Sequence, residues 1–443
     1  MLTTTAIDRT AIVDWFRRNR QRSAALFDMI DPAAYYSRPI SLRNPIVFYE
    51  GHLPSFSVLA FLRRGLGRPS VDARLEKLFE RGIDPDSEAV AIPRSGASTI
   101  WPSRSEVLAF ARACDDAMLE AIADFTLTPE AIEGLHTALE HEAMHQETLL
   151  YMWHRLPYEQ KRRPAPGELH PTSDARVSRS VAEPPASVAI PAGKAVLGSS
   201  RSSVVFGWDN EFDEHEVLVP TFKIDAFAVT NAQYLEFLNA GGYASRPLWD
   251  NEGWEWVQAQ HVQHPAFWLP ADHGSPATDH GPRMTDASRW SWRGMFESLP
   301  LPADWPVYVS QAEAAAYARW KGRRLMTEAE WHRAAKGATA GHADFAGFDP
   351  IPVGSHPETA SVHGVLDLIG NGWEWTSTVF GPFDGFAAMR SYPEYSADFF
   401  DGRHYVMKGA SPATARELIR PSFRNWFRSN YPYVYAKFRT VGA

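Results

Sequence analysis

The sequence predicts a multidomain protein in which an all-α helical bundle precedes an α+β domain with many loops. At 443 residues the chain exceeds one ordinary core and fits two or three domains at a prior of about 150 residues per domain, and two is the working count. The first part carries apolar residues at helical spacing, whereas the later part mixes short strand-like runs, a few helices and loops rich in Gly, Pro and Trp. A polar stretch punctuated by prolines separates the two parts.

The N-terminal domain, residues 1–157, contains five segments whose apolar side chains recur every three to four positions. Four of them are long enough to form a bundle. Ser105 and Thr128 stand at predicted helix starts, where a side-chain oxygen caps free backbone N–H groups. The predicted helices are 12–30, 57–66, 71–83, 105–125 and 129–156.

Residues 158–186 are the predicted linker, because this stretch is polar, rich in proline and without periodicity. The second domain, residues 187–443, alternates apolar and polar residues in short runs, which is typical of strands. The predicted strands lie within 187–199, 216–230 and 307–310, and the predicted helices are 231–241, 311–322 and 327–337.

Charge and cysteine content exclude several classes of function. The net charge of −9 gives no general basic field that would attract phosphate backbones or anionic lipid, so neither nucleic acid nor a membrane is expected as a partner. The single cysteine, Cys114, cannot form an intramolecular disulfide, and the first residues lack the apolar run of a signal peptide. A cytoplasmic protein with small-molecule substrates is expected.

Three histidines form the strongest chemical signal. His141 and His145 are four residues apart in a predicted helix, so both imidazoles point to one side of it. His52 is predicted to lie just before a helix that begins near Ser55, where a bundle can bring it opposite the pair. Three neutral imidazoles with open positions suit Fe(II), Zn(II) or Ni(II). A pair that binds no metal, with His52 in an ordinary loop or cap, is the alternative.

Glu147 has a different predicted role from these histidines. It follows His145 by two residues, which places it about 200° round the helix from that ligand. Glu147 is therefore a poor direct ligand. A supporting role behind the ligands, or between helices, is expected for it.

Five short motifs together resemble the non-haem iron sulfoxide synthases of ergothioneine biosynthesis. The motifs are Gly51-His52, an HxxxHxE pattern at His141, His145 and Glu147, RLMTEAEW at 324–331, DLIGNGWEWT at 367–376 and FRNW at 423–426. The resemblance implies a DinB-like four-helix bundle that carries the metal histidines. It also implies a formylglycine-generating-enzyme-like (C-type-lectin-like) domain that closes the substrate pocket.

The resemblance implies the cofactor and substrates as well. The family binds hercynine, the trimethylated betaine of histidine, with its imidazole on Fe(II), and uses O2 to join a sulfur donor to the ring. By position, Asn425 and Trp426 would receive the trimethylammonium group, and a Trp face suits a quaternary cation. A core aromatic is the alternative for Trp426. Trp373, Glu374 and Trp375 are expected to be scaffolding.

The donor side departs from the family pattern at three positions. Phe427 stands where relatives specific for γ-glutamylcysteine have Asp, Phe383 where they have a catalytic Tyr, and Met144 where many have Gln. Together with Arg424, these residues are the predicted donor-side pocket. The pattern is most similar to the selenoneine synthase branch, which implies a selenosugar donor. The acid or base is unknown, and the candidates are Tyr49, Tyr392, Tyr395 and Tyr405.

Other functions remain open at this point. One is a hercynine sulfoxide synthase of ergothioneine biosynthesis that uses cysteine or γ-glutamylcysteine. Another is a Zn- or Ni-dependent thiol transferase or hydrolase of the DinB type, which would need no O2. Formylglycine formation would need an active thiol in the second domain, but Cys114 lies in the helical part. A binding protein with a structural metal is the remaining alternative.

Overall fold

The computed structural model describes residues 7–80, 100–165, 167–169, 187–271 and 286–442. The chain forms two compact units. The first comprises Met1–Leu169, Arg201–Asp209 and Ala387–Ala397, and the second comprises His170–Ser200, Asn210–Phe386 and Asp398–Ala443. Two short segments from beyond the predicted linker therefore belong to the helical unit. Most of that linker, residues 166 and 170–186, lies outside the described residues.

The first unit is helical, as predicted. Side-chain oxygens of Asp8, Asp72, Ser103 and Thr128 cap four of its helices. The helix cap predicted at Ser105 is wrong by two residues, because Ser103 is the capping residue, whereas the cap predicted at Thr128 is confirmed. None of the helices in the described part of the chain is long and apolar enough to cross a bilayer. The helices are α1 (Arg9–Asp28), α2 (Ile46–Ser57), α3 (Ala73–Leu78), α4 (Arg104–Asp124) and α5 (Pro129–Arg155), with a π-helical continuation of α2 at Val58–Gly65.

The predicted position of His52, ahead of a helix near Ser55, is wrong because α2 already begins at Ile46. Gly51 and Pro54 suggest a helix break in the sequence, but each has another explanation in the structure. A Cβ at Gly51 would lie 2.4 Å from the ring of Phe79, so glycine is required for close packing. Every side chain from Ile46 to Ser57 is buried, and this tertiary packing outweighs the helix-breaking tendency of Pro54.

Helix α5 is packed unusually closely against the π-helical segment. A Cβ at Gly134 would lie 2.3 Å from the carbonyl oxygen of Ala60, so the two backbones are in contact. On another side of α5, the Asn19 side chain donates to the carbonyl of Leu139 at 2.9 Å. Glu142 accepts a hydrogen bond from Ser23 at 2.7 Å. These contacts fix the helix that carries His141 and His145.

The second unit contains small sheets, short helices and long loops, as predicted for an α+β domain. Its strands are β1 (Ser187–Ile190), β2 (Gly193–Leu197), β3 (His215–Val219), β4 (Phe222–Asp225), β5 (Trp268–Pro270), β6 (Trp290–Arg293), β7 (Ser298–Pro300), β8 (Arg324–Leu325), β9 (Gly372–Val379), β10 (His404–Ala410), β11 (Asn425–Arg428), β12 (Ala436–Lys437) and β13 (Thr440–Gly442). The two four-stranded sheets have the orders β1-β4-β13-β8 and β11-β10-β9-β12, and the smaller sheets are the pair β2-β3 and the sheet β5-β6-β7.

The three predicted helices of this unit are confirmed, with boundaries shifted by a few residues. They are α6 (Asn231–Asn239), α8 (Gln311–Trp320) and α9 (Glu328–Ala334), and α7 (Asn251–Ala259) was not predicted. Each predicted helix begins with a capping box, in which the cap side chain and the third helical residue exchange hydrogen bonds. The strand predicted at 307–310 is wrong, because this stretch forms no strand, although the backbone N–H of Val309 donates to the carbonyl of Ala436.

The GWEWT motif lies in β9 and supports the unit from within. The Glu374 carboxylate accepts hydrogen bonds from Arg439 at 2.6 Å and forms an ion pair with Lys437 at 2.9 Å. All three side chains are fully buried. The indole N–H of Trp375 donates to the carbonyl of Val309 at 2.8 Å. These contacts join β9 to β12 and to the last part of the chain, which supports the scaffolding role expected for this motif.

Candidate metal centre

His52, His141 and His145 converge inside the helical unit. One ring nitrogen from each lies within 4.8 Å of those of the other two. The ring centroids are 5.2 Å apart for His52 and His141, 5.1 Å for His52 and His145, and 4.2 Å for His141 and His145. Across the described ranges, no other group of three His, Cys, Asp or Glu side chains meets in this way. Helix α2 thus supplies one candidate ligand and α5 supplies two.

Two of the three imidazoles are oriented by backbone carbonyls. The Nδ1 atom of His52 is 2.8 Å from the Phe79 carbonyl oxygen, and that of His145 is 3.1 Å from the His141 carbonyl oxygen. Since a carbonyl accepts only, each Nδ1 carries the proton and each Nε2 keeps its lone pair. This arrangement is typical of metal-binding histidines, whose second nitrogen is held by a hydrogen bond.

Burial keeps the three imidazoles neutral at pH 7. It lowers the pKa of His52 to about 4, although the bond to Phe79 opposes this shift. The pKa values of His141 and His145 are lowered well below the ordinary value, first by burial and then by the neighbouring histidines. A neutral imidazole is the form that binds a metal. The donor set therefore fits a divalent transition-metal ion with positions left for other ligands.

Aromatic rings form the walls of this centre. Phe56 stacks on His141 with centroids 3.5 Å apart, and Phe48 stacks on His52 at 5.0 Å. These rings were not predicted as site residues. Their spacing offered a signal, because Phe48 and Phe56 lie four residues before and after His52 and so share its face of α2. Apolar walls keep water from the histidine side of the site.

Glu50 is a further residue that the sequence did not single out. It lies two positions before His52, and its buried carboxylate accepts a hydrogen bond from Tyr35 and paired bonds from Arg104 at 2.8 and 3.2 Å. These bonds fix α2 on the side away from His52. Glu147, predicted to support the ligands, is buried in α5 and is not a member of the converging group. Its role stays a prediction.

The segment Ala387–Ala397 is anchored to the helices of this unit. The Ser391 hydroxyl lies 2.9 Å from a carboxylate oxygen of Glu133 and 2.8 Å from the hydroxyl of Thr137. Arg390 forms an ion pair with Glu130 at 2.9 Å. All three partners belong to α5, the helix of His141 and His145. The segment is thereby fixed relative to two of the three histidines.

Two tyrosines of this segment lie beside the centre. The ring of Tyr392 is 4.9 Å from that of Phe56 and 6.0 Å from that of His141. The Tyr395 hydroxyl is 3.3 Å from the sulfur of Met144, and its ring stacks on Trp208 at 3.9 Å. Met144, predicted to line the donor side, is therefore held by a tyrosine. Of the other candidate tyrosines, Tyr49 lies 6.0 Å from His145 between ring centroids, and Tyr405 belongs to β10 of the second unit.

The remaining predicted site residues belong to the second unit. Trp426 stacks face to face on Phe380 with centroids 4.2 Å apart, and the Asn425 side-chain oxygen accepts a hydrogen bond from the backbone N–H of Trp426 at 2.9 Å. Phe427 follows on β11 and stacks on Tyr431 at 5.1 Å. Because consecutive strand residues point to opposite faces, Trp426 and Phe427 do not share one surface of the strand.

Arg424 and Phe383, both predicted for the donor side, are in contact. The guanidinium carbon of Arg424 lies 4.1 Å from the centroid of the Phe383 ring. The same guanidinium makes paired hydrogen bonds of 3.0 and 3.1 Å with Glu328, and both groups are buried. This geometry gives Arg424 a structural partner of opposite charge. Binding of a donor molecule by Arg424 stays a prediction.

Comparisons with known proteins agree with this architecture. Residues 16–149 match the DinB superfamily, and residues 173–349 and 344–443 match the sulfatase-modifying factor enzyme 1-like domain. The chain is 30% identical to the hercynine oxygenase of Mycolicibacterium smegmatis, over 95% of this chain and 96% of that protein. It is also 30% identical to the hercynine oxygenase of Mycolicibacterium thermoresistibile, over 92% and 89% of the two chains. Ergothioneine biosynthesis protein 1 of Neurospora crassa is 26% identical, over 93% of this chain and 55% of that protein.

Proposed function

The chain belongs to the family of hercynine oxygenases that combine a DinB-superfamily domain with a sulfatase-modifying-factor-like domain, and we propose that it is an Fe(II)- and O2-dependent enzyme acting on hercynine. The observation that carries this proposal is the convergence of three neutral histidines within 4.8 Å of one another. The names of the relatives of this chain, both hercynine oxygenases, supply the proposed substrate and the use of oxygen. The predicted reaction joins a chalcogen atom to the imidazole ring.

The chain's own residues would hold and shield the metal. The Nε2 atoms of His52 and His145 would be two of its ligands, because their Nδ1–H groups donate to the carbonyls of Phe79 and His141, and a ring nitrogen of His141 would be the third. When bound, Fe(II) supplies open coordination positions at which O2 and an imidazole substrate can meet. Phe48 and Phe56 exclude water from the histidine side and hold the rings in place. Catalysis would then rest largely on proximity of the reactants.

The identity of the chalcogen donor is the finer part of the proposal. The relatives named above are hercynine oxygenases and an ergothioneine biosynthesis protein, which favours a sulfur donor such as cysteine or γ-glutamylcysteine. A selenosugar donor rests on the overall sequence pattern together with Met144, Phe383 and Phe427, where the chain departs from the family pattern. Phe383 stands where the family has a catalytic tyrosine, so the hydroxyl group is absent here, and the Phe383 ring contacts Arg424.

Product analysis of the full-length protein tests this proposal. The chain is loaded anaerobically with Fe(II) and then mixed with hercynine, air and one donor at a time: cysteine, γ-glutamylcysteine or a selenosugar. We expect O2 uptake and a new hercynine adduct by mass spectrometry, only with Fe(II) and only in air. The donor that gives the adduct identifies the branch. Turnover of a thiol with Zn(II) in the absence of O2 would instead identify a thiol transferase and contradict the proposal.

Substitution of Trp426 tests the proposed site for the trimethylammonium group. Trp426 is half-buried, and Phe380 supports one face of its indole ring. Trp426→Ala should raise KM for hercynine about tenfold or more, since a desolvated cation–π contact contributes about 2 kcal/mol. Trp426→Phe keeps an aromatic face and should have a smaller effect. Steady-state kinetics with varied hercynine measure both, and an unchanged KM in the alanine variant would remove Trp426 from the site.

A further inference from the structure

We propose that the hydroxyl group of Tyr392 donates a hydrogen bond to the exogenous ligand of the three-histidine centre. This proposal rests on the metal-binding role proposed above for His52, His141 and His145. It concerns a residue that reaches the helical unit from the distant segment Ala387–Ala397. It assigns one phenol among the four candidates that the sequence left open.

The position of the Tyr392 ring is the first support. Its centroid is 6.0 Å from that of His141, with the planes at 75°, and 4.9 Å from that of Phe56, with the planes at 64°. Phe56 itself stacks on His141. Tyr392 is thus in edge contact with the ring pair that forms one side of the centre. A phenol that close to a ligand ring is within reach of a small molecule bound beside it.

Solvent access is the second support. His52 and His141 are each only 2% exposed, whereas His145 is partly exposed. Met144 and Tyr392 are also partly exposed. Tyr392 and Tyr395 are 5.7 Å apart between ring centroids, and Tyr395 contacts Met144. Met144, His145 and Tyr392 are therefore the partly exposed side chains of this group, and an exchangeable ligand would enter beside them.

Fixed placement is the third support. Ser391, the residue before Tyr392, is bonded through its backbone N–H to Glu133 at 2.8 Å and through its hydroxyl to Thr137. Its carbonyl accepts a hydrogen bond from Arg64 at 2.9 Å. Ser396, near the end of the segment, donates to the buried carboxylate of Asp209. A donor held in this way loses little conformational freedom when a ligand binds.

The other three tyrosines are less suited to this role. The Tyr395 hydroxyl is engaged with the sulfur of Met144, and its ring is held by Trp208, whose indole N–H donates to Glu140. Tyr49 lies 6.0 Å from His145 between ring centroids, but it is only 1% exposed. Tyr405 lies on β10 of the second unit, where its backbone pairs with Phe427. Tyr392 alone combines a contact to the ligand rings with solvent access.

Azide binding to the Co(II)-substituted full-length protein tests this assignment without hercynine, iron or O2. Azide is titrated into wild type, Tyr392→Phe and Tyr36→Phe, and the visible absorption of Co(II) reports binding. Loss of a hydrogen bond to an anion should weaken azide binding to Tyr392→Phe about tenfold. Tyr36→Phe removes a hydroxyl group of the same unit that donates to the carbonyl of Pro102 at 3.1 Å, so this control should bind azide like the wild type. Co(II) affinity, measured by competition with a chelator, should be equal in all three proteins.

Each outcome decides the proposal. Weaker azide binding in Tyr392→Phe alone, at unchanged Co(II) affinity, supports it. Equal azide affinity in wild type and Tyr392→Phe overturns it, as does a loss of Co(II) affinity in that variant, which would mean that the ring only positions His141. If Co(II) binds at the histidines but the iron-loaded protein fails to modify hercynine, the proposed function fails while the role of Tyr392 is still tested.

Discussion

His141→Ala is expected to lose stoichiometric iron and to lower turnover of hercynine by at least about a thousandfold, since even groups that only support a ligand contribute about 10- to 100-fold. His141 is one of three converging donors, and its ring packs between Phe56 and His145. Two remaining imidazoles would hold the ion weakly and in a changed geometry. Metal analysis after gel filtration and product quantification by mass spectrometry measure both effects.

His136→Ala is the matched control for this variant. His136 lies on the same helix, but its Nδ1 atom is bonded to the carbonyl of Ile132 at 2.9 Å and its ring stacks on Phe206. The control should keep wild-type iron content and activity. Circular dichroism of His141→Ala should show retained helix, because the metal is proposed to serve catalysis. Unfolding of His141→Ala would favour a purely structural metal, and retained iron-dependent turnover would contradict the ligand assignment.

Glu374→Gln is expected to destabilise the second unit by about 3 kcal/mol or more, because it leaves two buried cations without their counter-charge. Arg439 and Lys437 are both fully buried, and the same Glu374 oxygen contacts the two at 2.6 and 2.9 Å. An amide at this position keeps the shape of the side chain but removes its charge. Chemical denaturation, followed by tryptophan fluorescence, should show a clearly lower midpoint.

Glu216→Gln gives a control for the loss of a carboxylate. Glu216 pairs with Lys194 at 2.7 Å on the surface of the antiparallel pair β2-β3, where both side chains are more than half exposed. Solvent and salt screen such a pair, so its loss should leave the denaturation midpoint unchanged. Equal stability of Glu374→Gln and Glu216→Gln would contradict the scaffolding role of the GWEWT motif.

The buried carboxylate of Glu374 makes the free energy of unfolding depend on pH in a defined direction. Burial alone would raise the pKa of Glu374, but Arg439 and Lys437 outweigh it and lower that pKa below its ordinary value. The folded state therefore holds the proton less tightly than the unfolded state does. This contribution to stability is fully present above the ordinary pKa of a glutamate and is lost as the pH falls toward the lowered value.

The sequence predicted those features that depend on local pattern. Apolar periodicity located α1, α4 and α5. Helices α1 and α4 each bury one stripe of side chains, whereas α5 is buried on most sides along much of its length. The pairing of His141 and His145 followed from helix geometry alone. The helical setting of His52 was missed because Gly51 and Pro54 are local signals for a break, whereas burial of the whole helix decides the outcome.

Other features depend on contacts between residues far apart in the chain. The anchoring of Ser391 to Glu133 and Thr137 joins positions more than 250 residues apart, and no local pattern encodes it. Tyr392 could therefore be named as a candidate but not chosen. The partner of Arg424, Glu328, lies almost 100 residues earlier, which explains why the arginine was predicted as a binding residue and its ion pair was not.

X-ray absorption spectroscopy of the Fe(II)-loaded full-length protein tests the central claim most directly. The three converging histidines predict one iron per chain, with multiple scattering from three imidazole rings and light-atom ligands at the other positions. The imidazole signal should fall to two rings or disappear with the iron in His52→Ala, whose Nδ1 bond to Phe79 orients the wild-type ligand. An iron environment without imidazole, or one unchanged in His52→Ala, would contradict the proposed metal centre.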